Sequence, residues 1–202
     1  LAHTAEESKA LVDAVGAQDK LFAAGFTARS SPLYIRARNI YRSGAARGLV
    51  SMRSHWRKRI SWREMAPTAA RETALNWKLD PKRSAGLEGE VGSHHVHTLE
   101  WITGKNAIEV SGWGDIRAWK DRRRVPDSVQ LEYLFEDEVR LQQELTLASS
   151  LGGNEMQILG SHGSFRLAGR YAWLFKEADS ATQGWEVYAR RERFHEDEGF
   201  VL

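Results

Sequence analysis

The stretch Gly89-Glu90-Val91-Gly92-Ser93-His94-His95-Val96-His97-Thr98-Leu99-Glu100-Trp101-Ile102-Thr103-Gly104 divides the chain into two kinds of text. Before it, apolar residues recur mainly at helical spacing. After it, they alternate as strands do. Helices followed by a run of antiparallel strands predict an α+β domain, with helices on one face of the sheet. Within the stretch, Glu90, His94, His97 and Trp101 stand at offsets of 0, +4, +7 and +11. At about 3.6 residues per turn these four side chains share one helix face. An ordinary surface helix would carry Lys and Glu there, and a core helix Leu.

Downstream of Gly104, Ala107 to Gly114 alternates. Ser128 to Phe135 and Val139 to Leu147 flank a turn, Glu136-Asp137-Glu138, and Met156 to Leu159 and Ser164 to Leu167 flank a second, Ser161-His162-Gly163. Tyr171 to Phe175 and Trp185 to Ala189 are further candidate strands, and Gly199 to Leu202 begins another. Upstream, Thr4 with Glu6 and Glu7 reads as a helix start, Ala10, Leu11, Ala14 and Val15 as its apolar stripe, and Gly16 as its stop. Leu21 to Phe26 is a short apolar run of the kind found in a buried parallel strand. Helix then buried strand is half of a βαβ repeat. A second helix opens at Ser30 or Ser31 with Pro32 and ends near Gly44; Gly48 to Trp56 then alternates as a strand. Arg57 to Arg83, with Pro67 and Pro81, reads as an irregular, partly helical excursion.

The length of 202 residues suits one domain, or one domain with part of another. Basic residues number 29 and acidic 27, a net of +2, too small to imply nucleic-acid or anionic-membrane binding. There is no cysteine, hence no disulfide framework and no thiolate chemistry. No apolar run approaches the roughly 20 residues that span a bilayer, and no signal pattern opens the chain, so the expectation is a soluble, cytoplasmic protein. Eight tryptophans suit cores, interfaces and sugar-binding walls alike.

A carboxylate one turn from an imidazole can accept from it, raise its pKa and orient it, leaving the outer ring nitrogen to exchange a proton with a hydroxyl. Glu90 and His94 are therefore the candidate proton-transfer pair. The plainer alternative is that these histidines pack in a core and bond to backbone. Glu90-x3-His94-x2-His97 also has metal-site spacing, but no second cluster of Asp, Glu or His completes a coordination sphere, so no metal is assigned. Arg53 to Arg63 and Arg117 to Arg124 mix basic and aromatic residues, as single-strand binders do; the near-neutral total favours solvated strand faces or loops. No Ser-His-Asp order, P-loop or Gly-x-Gly-x-x-Gly is present.

The run Asn76-Trp77, Gly86, Glu90-Val91-Gly92-Ser93-His94, His97, Trp101 and Gly104 resembles the signature of the Gfo/Idh/MocA oxidoreductases, named for glucose–fructose oxidoreductase and inositol dehydrogenase. That signature reads Asn-Trp-Arg, a glycine-rich approach, Asp-x-Gly-x-His-x-x-Asp, then Trp ahead of Gly. Gly25-Phe26 with Arg29 and Pro32, Gly44 to Gly48 ahead of Trp56, and Ile158 to Ser164 resemble further family segments, in the same order. The family's two aspartates are Glu90 and His97 here, which alters reach at the first and charge at the second.

The resemblance implies an NAD(P)-dependent enzyme acting on sugars, polyols or related compounds. It implies an open, mostly antiparallel sheet with helices on one face, whose other face forms subunit contacts in a homo-oligomer. Residues 1–28 would be the last helix–strand unit of a Rossmann-type dinucleotide-binding domain, and residues 29–202 the substrate and oligomerisation domain. His94 and Glu90 carry over as catalytic, and His97, Trp77 and Arg29 as substrate-binding. The family's catalytic Lys lies in a Glu-Lys-Pro motif, and Leu1-Ala2-His3-Thr4 is similar to the text that follows it. The chain thus reads as a fragment, and residues 1–202 alone are expected neither to bind a dinucleotide nor to turn over, because the pyrophosphate needs the Gly-rich turn. Two other readings are a non-catalytic binding or assembly module of the same fold, and an NAD-assisted glycosidase.

Overall fold

The alternating text after Gly104 joins the earlier run at residues 49–57 in one nine-stranded sheet. The structure, a computed structural model, describes residues 2–194 and 197–202. The strands are β1 (Leu49–Arg57), β2 (Ala107–Asp115), β3 (Ser128–Phe135), β4 (Arg140–Thr146), β5 (Asn154–Gly160), β6 (Gly163–Ala168), β7 (Tyr171–Lys176), β8 (Arg190–Phe194) and β9 (Asp197–Val201). Their spatial order is β2-β3-β4-β1-β5-β6-β7-β9-β8. Every neighbouring pair is antiparallel except β1 with β4. The fold is therefore α+β with an open, mostly antiparallel sheet.

Alternation gives the sheet two unlike faces. Met52, Leu141, Ile158, Phe165 and Leu174 point to one face and are sealed under Ala37, Ile40, Leu99 and Ile102 of α2 (Pro32–Ile40) and α4 (Ser93–Thr103). On the other face the same strands present Arg53, His55, Arg57, Gln142 and Glu144, with Trp113 of β2 half exposed beside them. There Arg57 grips the Glu144 carboxylate through two bonds, at 2.9 and 2.7 Å.

The helix punctuation is local chemistry. Thr4 and Glu7 close a capping box on α1 (Ala5–Gly16). Pro32 starts α2, which widens into a π-turn, Tyr41–Ala45, and stops where Gly44 takes φ 90°. α4 ends at Gly104, φ 75°, a left-handed cap that glycine adopts without steric cost. Arg38 and Arg42 of the α2 segment donate to the last carbonyls of α4, at Trp101 (3.1 Å) and Ile102 (2.9 Å), and so tie the two helices together. Thr68 caps α3 (Ala69–Leu75), the helical part of the excursion.

Two expected strands do not form. Residues 21–26 run without strand pairing; Leu21 is wholly exposed and Phe22 nearly half so. A strand exists only through a neighbour's hydrogen bonds, and among the described residues none runs beside this segment. Trp185–Ala189 mostly lie in a 3₁₀ turn, Gly184–Tyr188, closed by reciprocal Gln183 and Glu186 bonds, and the strand begins only at Arg190. Trp185 there sets its ring edge-on against Phe200, 6.0 Å away. Gly199–Val201 belong to β9, which pairs with both β7 and β8. Leu1 lies outside the described residues.

The two basic stretches are laced with acids. Arg63 pairs with Glu72 and Asp121, Arg123 with Asp121, Arg124 with Asp80 and Arg117 with Asp115. The Arg123 bond, with burial opposing it and Arg63 adding to it, holds the Asp121 carboxyl down to about 2.

Candidate functional site

The helix that carries the Glu90–His97 row starts at Gly86, whose N–H donates to Ser84 Oγ at 3.0 Å. It passes through a π-turn, Glu88–Gly92, before settling into α4. A π-turn is wider than an α-turn, so the i, i+4 geometry assumed for Glu90 and His94 does not hold across it. The Glu90–His94 bond predicted from spacing is accordingly absent. Glu90 Oε1 instead accepts from Ser84 Oγ at 3.4 Å. Gly92 permits the close approach that follows. A Cβ there would stand 2.7 Å from Gln143 Oε1 and 2.9 Å from Leu145 Cδ1, both on buried side chains of β4. The Gln143 amide donates to the Gly92 carbonyl at 3.3 Å and to Ser54 Oγ at 3.2 Å, pinning the start of α4 to the sheet.

Two clefts meet over this helix start. A wide one, about 1000 Å³, lies between α1 and α4 and includes Trp77, Lys82, Ser84, Glu90 and His94 in its wall. A smaller one, about 480 Å³, lies between the 26–34 segment, α4, and the ends of β1 and β5. Glu90, His94 and Phe26 belong to both walls. The His94 ring is exposed, with Phe26 tilted against it at 5.4 Å. An accessible imidazole at the junction of two clefts whose walls also include a carboxylate can hold a hydroxyl and exchange its proton.

The other predicted residues divide. Trp77, over a third exposed, stands on the wall of the wide cleft. Its loop is fixed by Asn76, whose Oδ1 accepts from the Glu64 N–H (2.7 Å) and whose amide donates to the Glu64 (3.0 Å) and Glu72 (3.1 Å) carbonyls. His97 stacks on Phe26, ring centres 3.8 Å apart, and is in neither wall. Burial first, and then the Arg29 charge, lower its pKa. Arg29 sits exposed on the turn Thr27–Ser30, beside His97 and outside both walls. Trp101 extends the same helix face under the Arg38 guanidinium, 5.0 Å from its ring centre. Among the described residues, no group of three or more His, Asp or Glu could hold a metal ion.

Sequence reasoning passed over His95. It lies on the buried side of α4 with Thr98, Leu99 and Ile102, only 3% exposed, and forms part of the smaller cleft. Its Nε2 meets Asn154 Oδ1 at 2.8 Å, while its Nδ1 is buried without a partner. Burial drives its pKa down to about 4, against the pull of the Asn154 bond, so the ring is neutral near pH 7. The signal was available: a polar residue at the start of an i, i+3, i+4, i+7 row that is otherwise apolar or Thr.

The model of the GFO/IDH/MocA C-terminal domain matches residues 34–166. No curated protein sequence matches the chain significantly. Among solved structures, levoglucosan dehydrogenase in complex with NADH and L-sorbose is 19% identical, with a TM-score of 0.72 over 98% of this chain and 51% of that one. An inositol dehydrogenase homolog complexed with NAD+ from Azotobacter vinelandii is 15% identical, TM-score 0.71, over 90% of this chain and 47% of that one. The super-repressor mutant of Gal80p from Saccharomyces cerevisiae is 11% identical, TM-score 0.70, over 86% and 48%. The chain thus spans about half the length of each. No helix among the described residues is long and apolar enough to cross a membrane.

Proposed function

This chain belongs to the GFO/IDH/MocA family through its C-terminal domain, and from that premise we propose that it is the substrate-binding portion of an NAD(P)-dependent oxidoreductase acting on a sugar, polyol or related hydroxy compound. The observation that carries the reading is His94: accessible, in the same walls as Glu90, and set where two clefts meet. In this reading His94 holds the substrate hydroxyl and exchanges its proton, Glu90 assists from the same wall, and Trp77 forms the far wall. His97 and Arg29 act on the substrate only indirectly, by fixing Phe26 and the turn that follows it.

NAD or NADP supplies hydride chemistry when bound. The residues present do not make a pyrophosphate site. Gly92 is itself helical and the Ser93 N–H donates to the Glu88 carbonyl, so α4 begins inside a continuous helix and offers no N-terminus of its own to a phosphate. We assign residues 1–28 to a dinucleotide-binding domain and 29–202 to the substrate domain. In support, α1 buries none of its residues, and Val12, Leu21 and Phe22 are left uncovered. The open sheet face, with half-exposed Trp113 and Tyr171, is assigned to contact between copies. Sedimentation of the natural polypeptide at micromolar concentration should then give a mass at least twice that of one chain; a monomer would sink that assignment.

The decisive experiment is His94→Ala in the natural polypeptide that carries these residues, supplied with NAD+ or NADP+ and a sugar and polyol panel. Turnover, read as reduced nicotinamide, should fall by about 10²–10⁴-fold with the thermal midpoint kept, because the ring makes no hydrogen bond that folding would lose. Unchanged turnover would remove His94 from the chemistry. A second reading is a binding module of the same fold without turnover; the fold is also that of a super-repressor mutant of Gal80p. A wild-type protein that binds sugar but reduces no nicotinamide would support it.

A further inference from the structure

We infer that the smaller cleft is a subsite for a neutral, hydroxyl-bearing part of the ligand, and that its selectivity is set by Asn154 held in one orientation by His95. The inference rests on the reading above that a sugar or polyol is bound. It starts from a cost. An imidazole buried to 97% with one ring nitrogen unpartnered is a worse core residue than leucine, since a buried polar atom loses its water and gains nothing. Packing does not require a histidine there; the same helix face uses Leu99 and Ile102.

What the ring does make is the bond to Asn154. A carbonyl oxygen can only accept, so Nε2 carries the proton and donates to Oδ1 at 2.8 Å. That turns Oδ1 toward His95, fixes the amide's orientation and leaves the Asn154 NH₂ with both its protons unbonded. Asn154 is itself exposed and forms part of the cleft wall. The side chain therefore offers the ligand a donor in a fixed direction and selects for an oxygen acceptor. Around it stand the hydroxyls of Ser31, Tyr34 and Thr98 and the flat ring of Trp56, with no Lys or Arg in the wall. Such a wall suits an uncharged polyhydroxy ligand and disfavours phosphates and carboxylates. With His94 and Glu90 lining the same cleft, one ligand hydroxyl meets His94 while a second oxygen is read by Asn154. Asn154 is the specificity-determining residue, and His95 a positioning residue that acts through it.

The test titrates the natural polypeptide with levoglucosan, L-sorbose and inositol by calorimetry. Wild type is compared with Asn154→Ala, His95→Leu, His95→Gln and the Ala/Leu double variant. For a probe that binds, Asn154→Ala and His95→Leu should each weaken affinity about tenfold, the scale of one directed hydrogen bond. The double variant should be no weaker than either single one, because both remove the same bond to ligand. Gln keeps a donor in place of Nε2 and should restore binding to within about threefold. Asn154 is exposed, so its alanine variant folds even if a residue-95 variant does not. Affinity unchanged in Asn154→Ala, or additive losses in the double variant, would overturn the inference while leaving the substrate reading intact. Failure of wild type to bind any of the three probes would overturn the substrate reading, and the subsite with it.

Discussion

Replacing Gly92 with alanine isolates the contact that sets the height of His94. Two effects oppose each other. Gly92 has φ −58°, within the helical region, so alanine is tolerated by the backbone and gains about 1 kcal/mol of helix propensity. Against this, the new Cβ would stand 2.7 Å from Gln143 Oε1 and 2.9 Å from Leu145 Cδ1. These side chains are 2% and 0% exposed, so neither swings into solvent to make room. Overpacking of a closed site costs about 1–3 kcal/mol, and displacing Gln143 also strains its bonds to the Gly92 carbonyl and Ser54, each worth about 1 kcal/mol. The net expectation is a loss of about 2 kcal/mol, which for a domain of this size lowers the thermal midpoint by about 4–8 °C. Gly16→Ala is the control. A Cβ there meets nothing within 4 Å, so the propensity gain stands alone and the midpoint should hold or rise. Urea and thermal unfolding read both variants on one scale. If Gly92→Ala melts at or above wild type, the helix start is not pressed onto β4 and the account of His94's position fails.

Stability should also fall in acid through His95. Its folded pKa, about 4, lies below the unfolded value of 6.5, so between those limits the unfolded chain binds more protons. Stability is then full above about pH 6.5 and declines as pH falls, by about 2 kcal/mol at pH 5; urea midpoints at pH 7 and pH 5 should show a slope that His95→Leu flattens. Asp127, wholly buried, accepts from the N–H groups of Arg117, Ala118 and Trp119 at 2.8–2.9 Å. Burial raises its pKa, but these donors outweigh it and the net shift is downward, so its contribution is present above the ordinary carboxylate range and lost as pH falls through the folded value. Asp127→Ala strands three donors and should cost about 2–4 kcal/mol in equilibrium unfolding, with Asp127→Asn recovering part; equal stability of wild type and the alanine variant would deny the cap.

Period and punctuation carried most of the architecture. The strands after Gly104 read correctly wherever a turn of charged or small residues separated two alternating runs, as at Glu136-Asp137-Glu138 and Ser161-His162-Gly163. Reading failed where the outcome depended on a partner. Leu21 to Phe26 has strand composition, but composition supplies no neighbour to bond to. Trp185 to Ala189 has strand residues, yet the Gln183–Glu186 reciprocal bonds closed a turn over them first. At the site, spacing placed Glu90, His94 and His97 on one helix but gave Glu90 the wrong partner, because a π-turn cannot be told from an α-turn by spacing. His95 stayed hidden because its meaning comes from Asn154, 59 residues away.

The single parallel pairing of the sheet has a consequence for how the molecule assembles. β2-β3-β4 and β5-β6-β7 are each up-and-down ribbons whose strands neighbour one another in sequence. β1 lies between them as the seam, with Ser54 meeting Gln143 across 89 residues of chain. Each ribbon can find its register by itself; only β1 fixes one register against the other. The cleft that sets Trp56 of β1 beside Asn154 of β5 needs β1 paired with β5, and its α4 wall is tied to β4 through Gln143 and Gly92, so the wall draws on both ribbons that meet at the seam.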